Sequence, residues 1–296
     1  MAEDMTFLPR SEILSLEEIV ILAKKFVDRG VKRIRLTGGE PLARRGAVDV
    51  ATQIGKLLGH GLDELTLTTN ASRLTEYADD LRGAGIERIN ISLDTRDPDK
   101  FRHITRTGDL AKVLSGIQAA KAAGFAIKIN MVALKGINQD EIVSMLRWCI
   151  EQGFDLSLIE TMPLGVIDDD RVDRFLPLTV VKAELDAGFS LIPATYKTGG
   201  PARYWSVVGS NSRLGLISPL TRNFCEGCNR IRVSASGQLY MCLGHDDHVD
   251  LREALRGNDP TAVDAAVDRA LDRKPRAHDF RLETPATSRH MNVTGG

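Results

Sequence analysis

The sequence predicts an α/β fold: a parallel sheet or barrel over the first half of the chain, with a second domain behind it. Three observations lead there. The chain has 296 residues, which at roughly 150 per domain favours two domains. Between Val31 and Met162, short strand-like runs alternate with helical stretches, the signature of βαβ units. Past Met162 that alternation stops.

The first element is a helix opened by Ser15, with Glu18 three residues later as a capping box. Its apolar positions Ile19, Leu22, Ala23, Phe26 and Val27 follow the helical period, and Gly30 ends it. The strand-like runs follow as Val31 to Thr37, Leu65 to Thr69, Glu87 to Leu93, Ala126 to Ala133 and Leu156 to Met162. These runs alternate, with Ile34 and Leu36 against Arg35 and Thr37, Leu65 and Leu67 against Thr66 and Thr68, and Ile127 and Ile129 against Lys128 and Asn130. Helices after every strand cover the apolar side, so the polar side chains face a lumen suited to a charged ligand. A half-exposed sheet is the alternative. The series opens on a helix, so its first β-strand is missing from the pattern.

Residues Gly165 to Arg174, with Asp168, Asp169 and Asp170, read as a linker. A helix over Leu178 to Asp186, short β-like runs around a Gly199-Gly200-Pro201 turn, a cysteine segment, and helices near Leu251 to Leu255 and Ala262 to Leu271 make the second domain. The expected division is 1–164 and 165–296.

Composition excludes several classes of function. Lys+Arg less Asp+Glu is 39 − 40 = −1, so no global basic field argues for wrapping nucleic acid or for an anionic membrane surface. No apolar run approaches the roughly 18 residues of a bilayer span, and the first ten residues lack a signal-peptide core. The expectation is a soluble, cytoplasmic protein without nucleic-acid or membrane partners. Four cysteines are too few for a disulfide scaffold, and three of them fall within 18 positions.

Those three, Cys225, Cys228 and Cys242, have the spacing C-x2-C-x13-C. Three thiolates so spaced can hold an iron–sulfur cluster with one iron left open. With His245 they make an equally plausible closed zinc site. Arg230 and Arg232 lie on one face of an extended segment beside them, where they could clamp a phosphate, although paired arginines are most often a solvated face. The second motif is Thr37-Gly38-Gly39-Glu40-Pro41-Leu42 at a strand's C-terminal end, the active-site end of a parallel barrel. Thr68-Thr69-Asn70 and Ser92-Leu93-Asp94 stand at the matching ends of the next two strands.

Arg35-Leu-Thr-Gly-Gly-Glu-Pro-Leu, Leu67-Thr-Thr-Asn, Ile89-Asn-Ile-Ser-Leu-Asp94, Lys128-Ile-Asn130, Glu160-Thr-Met162, the cysteine–arginine segment and the terminal Gly295-Gly296 together resemble the GTP 3',8-cyclases. These radical S-adenosylmethionine lyases, the molybdenum cofactor biosynthesis protein A family, make the first intermediate of molybdenum cofactor. The resemblance runs from Met5 to Gly296. It implies a partial (β/α)6 TIM-type barrel, here without its first strand, closed by a C-terminal α+β iron–sulfur domain. It implies two [4Fe–4S] clusters, one cleaving S-adenosylmethionine to a 5'-deoxyadenosyl radical that takes hydrogen from GTP and yields 3',8-cyclo-7,8-dihydro-GTP, the other holding the guanine.

By matching motifs, Gly39, Ser92 and Met162 are implied S-adenosylmethionine contacts, and Arg35, Thr68, Lys128, Arg230 and Arg232 implied GTP contacts. Cys225, Cys228 and Cys242 are implied ligands of the second cluster, with His245 a bystander. Gly295 and Gly296 are implied to insert toward the lumen and help position the radical. The implied partners are GTP, an electron donor and, downstream, a cyclic pyranopterin synthase; a homodimer is compatible.

The family's C-x3-C-x2-C motif on the first strand and its loop is not in this sequence, and Cys149 beside Trp148 reads as a buried apolar residue. The expectation is that Met1 is an internal methionine directly after that motif's last cysteine. The first cluster then belongs only to a full-length form, and the chain as given is inactive for want of it. A non-catalytic GTP-binding paralogue and a zinc-stabilised barrel with a structural role are the competing readings.

Overall fold

The computed structural model describes residues 8–165 and 171–295. Asp168, Asp169, Asp170 and Gly296, singled out in the sequence, lie outside them. In chain order the elements are α1 (Leu16–Asp28), β1 (Arg33–Leu36), α2 (Ala47–Gly55), β2 (Glu64–Thr69), α3 (Leu74–Gly83), β3 (Arg88–Ser92), α4 (Pro98–Thr105), α5 (Leu110–Ala122), β4 (Ala126–Val132), α6 (Ile142–Gln152) and β5 (Asp155–Ile159). There follow α7 (Arg171–Arg174), α8 (Leu178–Gly188), β6 (Leu191–Pro193), β7 (Arg203–Val207), β8 (Arg213–Ile217), β9 (Arg232–Val233), β10 (Gln238–Tyr240), β11 (His248–Asp250), α9 (Leu251–Arg256), α10 (Ala262–Asp272) and α11 (Met291–Thr294). The expected alternation is present. The final turn of the expected linker is helical, as α7.

By contacts the chain forms two units, one of residues 8–65, 163–165 and 225–295, the other of 66–162 and 171–224. In the first, α1 begins with the expected capping box: Glu18 N–H donates to Ser15 Oγ at 3.1 Å and Ser15 N–H to Glu18 Oε2 at 2.7 Å. The apolar stripe of α1 explains why the start of the chain belongs with its C-terminal part. Leu22 joins Leu239, Met241, Leu251, Val263, Ala266, Val267 and Ala270 in one core, with Ile19 and Phe26 packed against it. Burying each large side chain stabilises this unit by about 1.5–3 kcal/mol. Arg256 adds polar ties to Glu18 Oε1 at 2.6 Å and to the carbonyls of Ser11 and Ile13. Also here, the Lys32 carbonyl before β1 accepts the Asp63 and Glu64 amides that open β2.

In the second unit the sheet runs β2-β3-β4-β5-β8-β7-β6. β2 through β5 and then β8 are parallel, whereas β7 and β6 add antiparallel. The sequence assigns the short runs past Met162 to a separate domain; the structure builds β6, β7 and β8 onto the same sheet as β5, with Leu156 opposite Leu214 and Leu158 opposite Leu216. Their pairing is long-range, so no local pattern announces it. Asp97 and Asp109 accept the first backbone amides of α4 and α5, which sets where those helices start.

On the polar sides of the central strands Thr66, Thr68, Asn90 and Lys128 are each under a tenth exposed, while Asn130 is partly buried and Ser92, at the end of β3, is exposed. That excludes the half-exposed sheet. Cys149 is fully buried on α6, as expected, and burial pushes its thiol far up. Among the described residues, no helix is long and apolar enough to cross a membrane.

Candidate functional site

In the first unit the β9–β10 hairpin organises the cysteine segment. Arg232 pairs with Tyr240 and Val233 with Leu239, which sets Cys228 to Arg232 alongside Tyr240 to Cys242. Cys225 and Cys228 flank a short 3-10 turn closed by Cys228 N–H donating to the Cys225 carbonyl at 2.9 Å. None of the three is in a disulfide, and all are half-buried. Cys225 Sγ accepts the His278 amide at 3.4 Å, and Cys228 Sγ accepts from the Arg230 guanidinium at 3.5 Å. Lys274 Nζ donates to the Arg230 carbonyl at 2.8 Å and to the Met241 carbonyl, strapping the two cysteine-bearing segments together.

The charge pattern favours sulfur anions. Burial is the largest influence on the Cys228 thiol and pushes it up, but an Arg230 backbone hydrogen bond, the Arg230 guanidinium and Lys274 outweigh it and leave the thiol below its ordinary range. Burial wins at Cys242, whose thiol is raised; the Gly244 amide and Lys274 pull it down while Cys225 and Cys228 push it up. Cys242 therefore feels the other two sulfurs. N–H donors and cations around thiols are what tune a cluster or metal held by thiolates.

Among the described residues, no group of three His, Cys, Asp or Glu side chains is arranged as a cage for a single ion. A tetrahedral zinc holds its sulfurs at about 2.3 Å from one centre, whereas a [4Fe–4S] cube puts each thiolate on a different iron and needs them further apart. His245 Nε2 is hydrogen-bonded to the Ala277 carbonyl at 3.0 Å and lies 3.8 Å from Asp279. The donor set of three thiols with N–H and cationic neighbours fits a cluster.

Next to the thiols lies a concentration of arginines. Burial first, then repulsion from Arg230, Arg35 and Arg289, holds the Arg232 guanidinium down at about 10, with Cys228 opposing them. Arg232 remains charged at neutral pH. It donates to the Gly295 carbonyl at 2.6 Å and to the Thr294 carbonyl at 3.4 Å. Gly295 has φ +69° and ψ 162°, a conformation essentially restricted to glycine, and a Cβ there would strike the Thr37 side chain and the Gly38 nitrogen. Gly38 in turn has φ +148°. The glycine at 295 thus sits against the Thr37-Gly38-Gly39 turn, beyond which Glu40 caps the Pro41–Ala43 turn by accepting Leu42 N–H at 3.0 Å. Arg35, Gly39, Cys225, Cys228, Arg230, Arg232, Cys242 and Gly295 all belong to this unit.

Thr68, Ser92, Lys128 and Met162 belong to the second unit. Thr68, Asn90 and Lys128 share one register across β2, β3 and β4. Asn90 Nδ2 donates to Thr68 Oγ1 at 3.3 Å, and Lys128 Nζ donates to Tyr204 Oη at 3.4 Å. One step nearer the strands' C-terminal ends, Ser92, Asn130 and Ser157 share the next polar row. Asn130 Oδ1 and Ser157 Oγ are buried without hydrogen-bond partners, as is Thr161 Oγ1 beside Met162. These atoms leave buried hydrogen-bonding capacity unused. The sequence reading gave Asn130, Ser157 and Thr161 no role of their own; the alternation that picked out Lys128 also marks Asn130 and, between Leu156 and Leu158, Ser157, but not Thr161.

Glu160, at the C-terminal end of β5, is fully buried and accepts from Leu178 N–H, Leu220 N–H and Thr221 N–H, each at 3.1 Å, and from the Thr221 hydroxyl. It is a clasp that holds two distant segments of this unit around the residues leading to Met162.

Two families of known proteins match successive parts of the chain. The family described as Radical SAM superfamily matches residues 2–149, and Molybdenum Cofactor Synthesis C matches 154–280. The chain is similar to a GTP 3',8-cyclase of Rhizobium etli (strain CIAT 652), 53% identical over 301 residues covering 100% of this chain and 86% of the relative. It is similar to those of Rhizobium meliloti (strain 1021), at 54% identity and 86% of the relative, and Erythrobacter litoralis (strain HTCC2594), at 53% and 90%, each over 100% of this chain. Among solved structures, Streptococcus suis SuiB matches 95% of this chain and 71% of its own with a TM-score of 0.59 at 12% identity. SuiB bound to S-adenosylmethionine matches 89% of this chain and 62% of its own, at 0.57 and 13%. These likenesses show the fold, a partial TIM-type barrel with a C-terminal domain.

Proposed function

The chain belongs to the GTP 3',8-cyclase family of radical S-adenosylmethionine enzymes, and we propose that it is the lyase converting GTP to 3',8-cyclo-7,8-dihydro-GTP in molybdenum cofactor biosynthesis. The observation that carries this reading is the juxtaposition, within one unit, of three cysteine thiols outside any disulfide with Arg230, Arg232, Arg35 and Gly295. Thiolates and a buried arginine field together suit a cluster that shares its site with a polyanionic nucleotide.

Cys225, Cys228 and Cys242 hold a [4Fe–4S] cluster. That cluster would hold the guanine; the electron that turns S-adenosylmethionine into a source of a 5'-deoxyadenosyl radical would come from the family's other cluster, whose C-x3-C-x2-C motif is not in this sequence. The protein's own part is to bind and orient. Arg35, Thr68, Lys128, Arg230 and Arg232 are the GTP contacts of this reading. Gly39, Ser92 and Met162 receive S-adenosylmethionine. Asn130, Ser157 and Thr161 add hydrogen-bonding capacity in the polar row that contains Ser92. Gly295 and Gly296 position the reacting groups; only glycine tolerates the backbone at 295. An electron donor and a downstream cyclic pyranopterin synthase are the partners of this reading, with the cytoplasm as its compartment.

The test is chemical analysis of the chain purified and reconstituted anaerobically with iron and sulfide. Acid-labile sulfide should accompany iron, C225S, C228S and C242S should each abolish incorporation, and GTP but not ATP should perturb the electron paramagnetic resonance signal of the reduced cluster. About one zinc per chain without sulfide, lost in H245A, would overturn it.

A further inference from the structure

We infer that Arg289 is a positioning residue that ties the segment ending at Gly295 to both sides of Cys242. Its guanidinium stacks on the Tyr240 ring at 3.9 Å, two residues before that cysteine. After the cysteine, its Nη2 donates to the carbonyls of Leu243 at 3.0 Å and His245 at 3.1 Å, and its Nη1 lies 3.4 Å from Asp246 Oδ1. Ser288 N–H adds a hydrogen bond to Asp246 Oδ2 at 3.1 Å. The Arg289 side chain is only 7% exposed, while Asp246 is 51% exposed. A buried guanidinium without acceptors is costly; here two carbonyls, a carboxylate and an aromatic face occupy its donors and its plane.

The other end of the same short segment is equally fixed. From Arg289 the chain passes through α11 to Gly295, which is held by Arg232 and abuts Thr37 and Gly38. One turn of helix is a stiff connection, so the position of the Arg289 guanidinium sets where the Gly295 carbonyl meets Arg232. Arg289 thereby couples the loop of the third thiol to the glycine end that faces the nucleotide site. A lysine cannot reproduce this, because a point charge with tetrahedral donors neither bridges two carbonyls in one plane nor stacks on tyrosine. The functional weight of the coupling rests on the proposed cyclase reading; the coupling itself does not.

The experiment compares wild type, R289K, R289Q, a chain lacking residues 295–296, and that deletion combined with R289Q, all reconstituted with iron and sulfide. Amide hydrogen exchange is followed in peptides covering 243–246 and 291–295, and the GTP-induced change in the cluster's resonance signal is recorded alongside. R289Q should accelerate exchange in both segments by about tenfold or more, with R289K intermediate and iron content unchanged. R289Q and the deletion should each diminish the GTP-induced spectral change, and their combination should do no more than either alone. Acceleration in only one segment, or in neither, overturns the coupling, as do strictly additive spectral effects. Should R289Q fail to fold, R289K carries the same comparison. A wild-type chain that takes up no sulfide defeats the cyclase reading, while the exchange data still decide Arg289.

Discussion

Buried charge is handled in opposite ways at Glu160 and at Arg232. Glu160, in the second unit, is fully enclosed and accepts four hydrogen bonds from Leu178, Leu220 and Thr221. Arg232, in the first, is pressed down to about 10 by burial and by three further arginines. The carboxylate is completed by its own chain and stabilises the fold. The guanidinium sits in a field of its own sign, which a folded protein tolerates where an anion comes to share it. The difference separates framework from site even though both groups are buried.

Removing Glu160 should therefore have the largest effect on stability. E160L strands three backbone N–H groups at about 1–3 kcal/mol each, so a loss of about 4 kcal/mol in urea unfolding is expected. A loss under about 1 kcal/mol would show that water replaces the clasp.

Asp94 is the intermediate case, partly buried, its carboxyl accepting from Val132 N–H at 2.7 Å. Burial raises its carboxyl from 3.8 to about 6 despite that hydrogen bond. A folded value above the unfolded one means the folded state favours the protonated form. That stabilisation is complete below about pH 4 and is lost as pH rises through about 6. The shift, 6 − 3.8 = 2.2, corresponds to about 3 kcal/mol. D94N should match wild type near pH 3.5 and exceed it by about 3 kcal/mol at pH 7.5; an offset independent of pH in urea midpoints would defeat the assignment.

Arg232 should invert the Glu160 result. R232A should weaken GTP binding by about tenfold or more, as loss of a charge-assisted contact does, while unfolding stability changes far less than in E160L. Calorimetric titration beside the urea series reads both. Equal GTP affinity in R230A, R232A and K128A would remove the carried-over nucleotide site. The smallest effect belongs to His245, whose Nε2 bonds to the Ala277 carbonyl on a partly exposed surface. H245A should leave iron and sulfide content unchanged and cost about 1 kcal/mol or less.

Local sequence alone determined the helices, their starts and the strand ends, because capping boxes, 3.6-residue stripes and period-two alternation are short-range. Ser15 with Glu18, the α1 stripe and the strands leading to Thr68 and Ser92 were all legible that way. So were the thiols and the arginines beside them, since C-x2-C spacing and Arg230 with Arg232 lie within one hairpin. What only the tertiary structure decided is every pairing across long separations. β8 and β7 join β5 rather than a separate domain; α1 shares its core with α9 and α10; Arg289 reaches round Cys242; and Glu160 collects amides from two distant segments. None of these leaves a periodic trace, because a contact between residues far apart in the chain is selected by the burial and hydrogen bonding it completes, which exist only once both partners are folded.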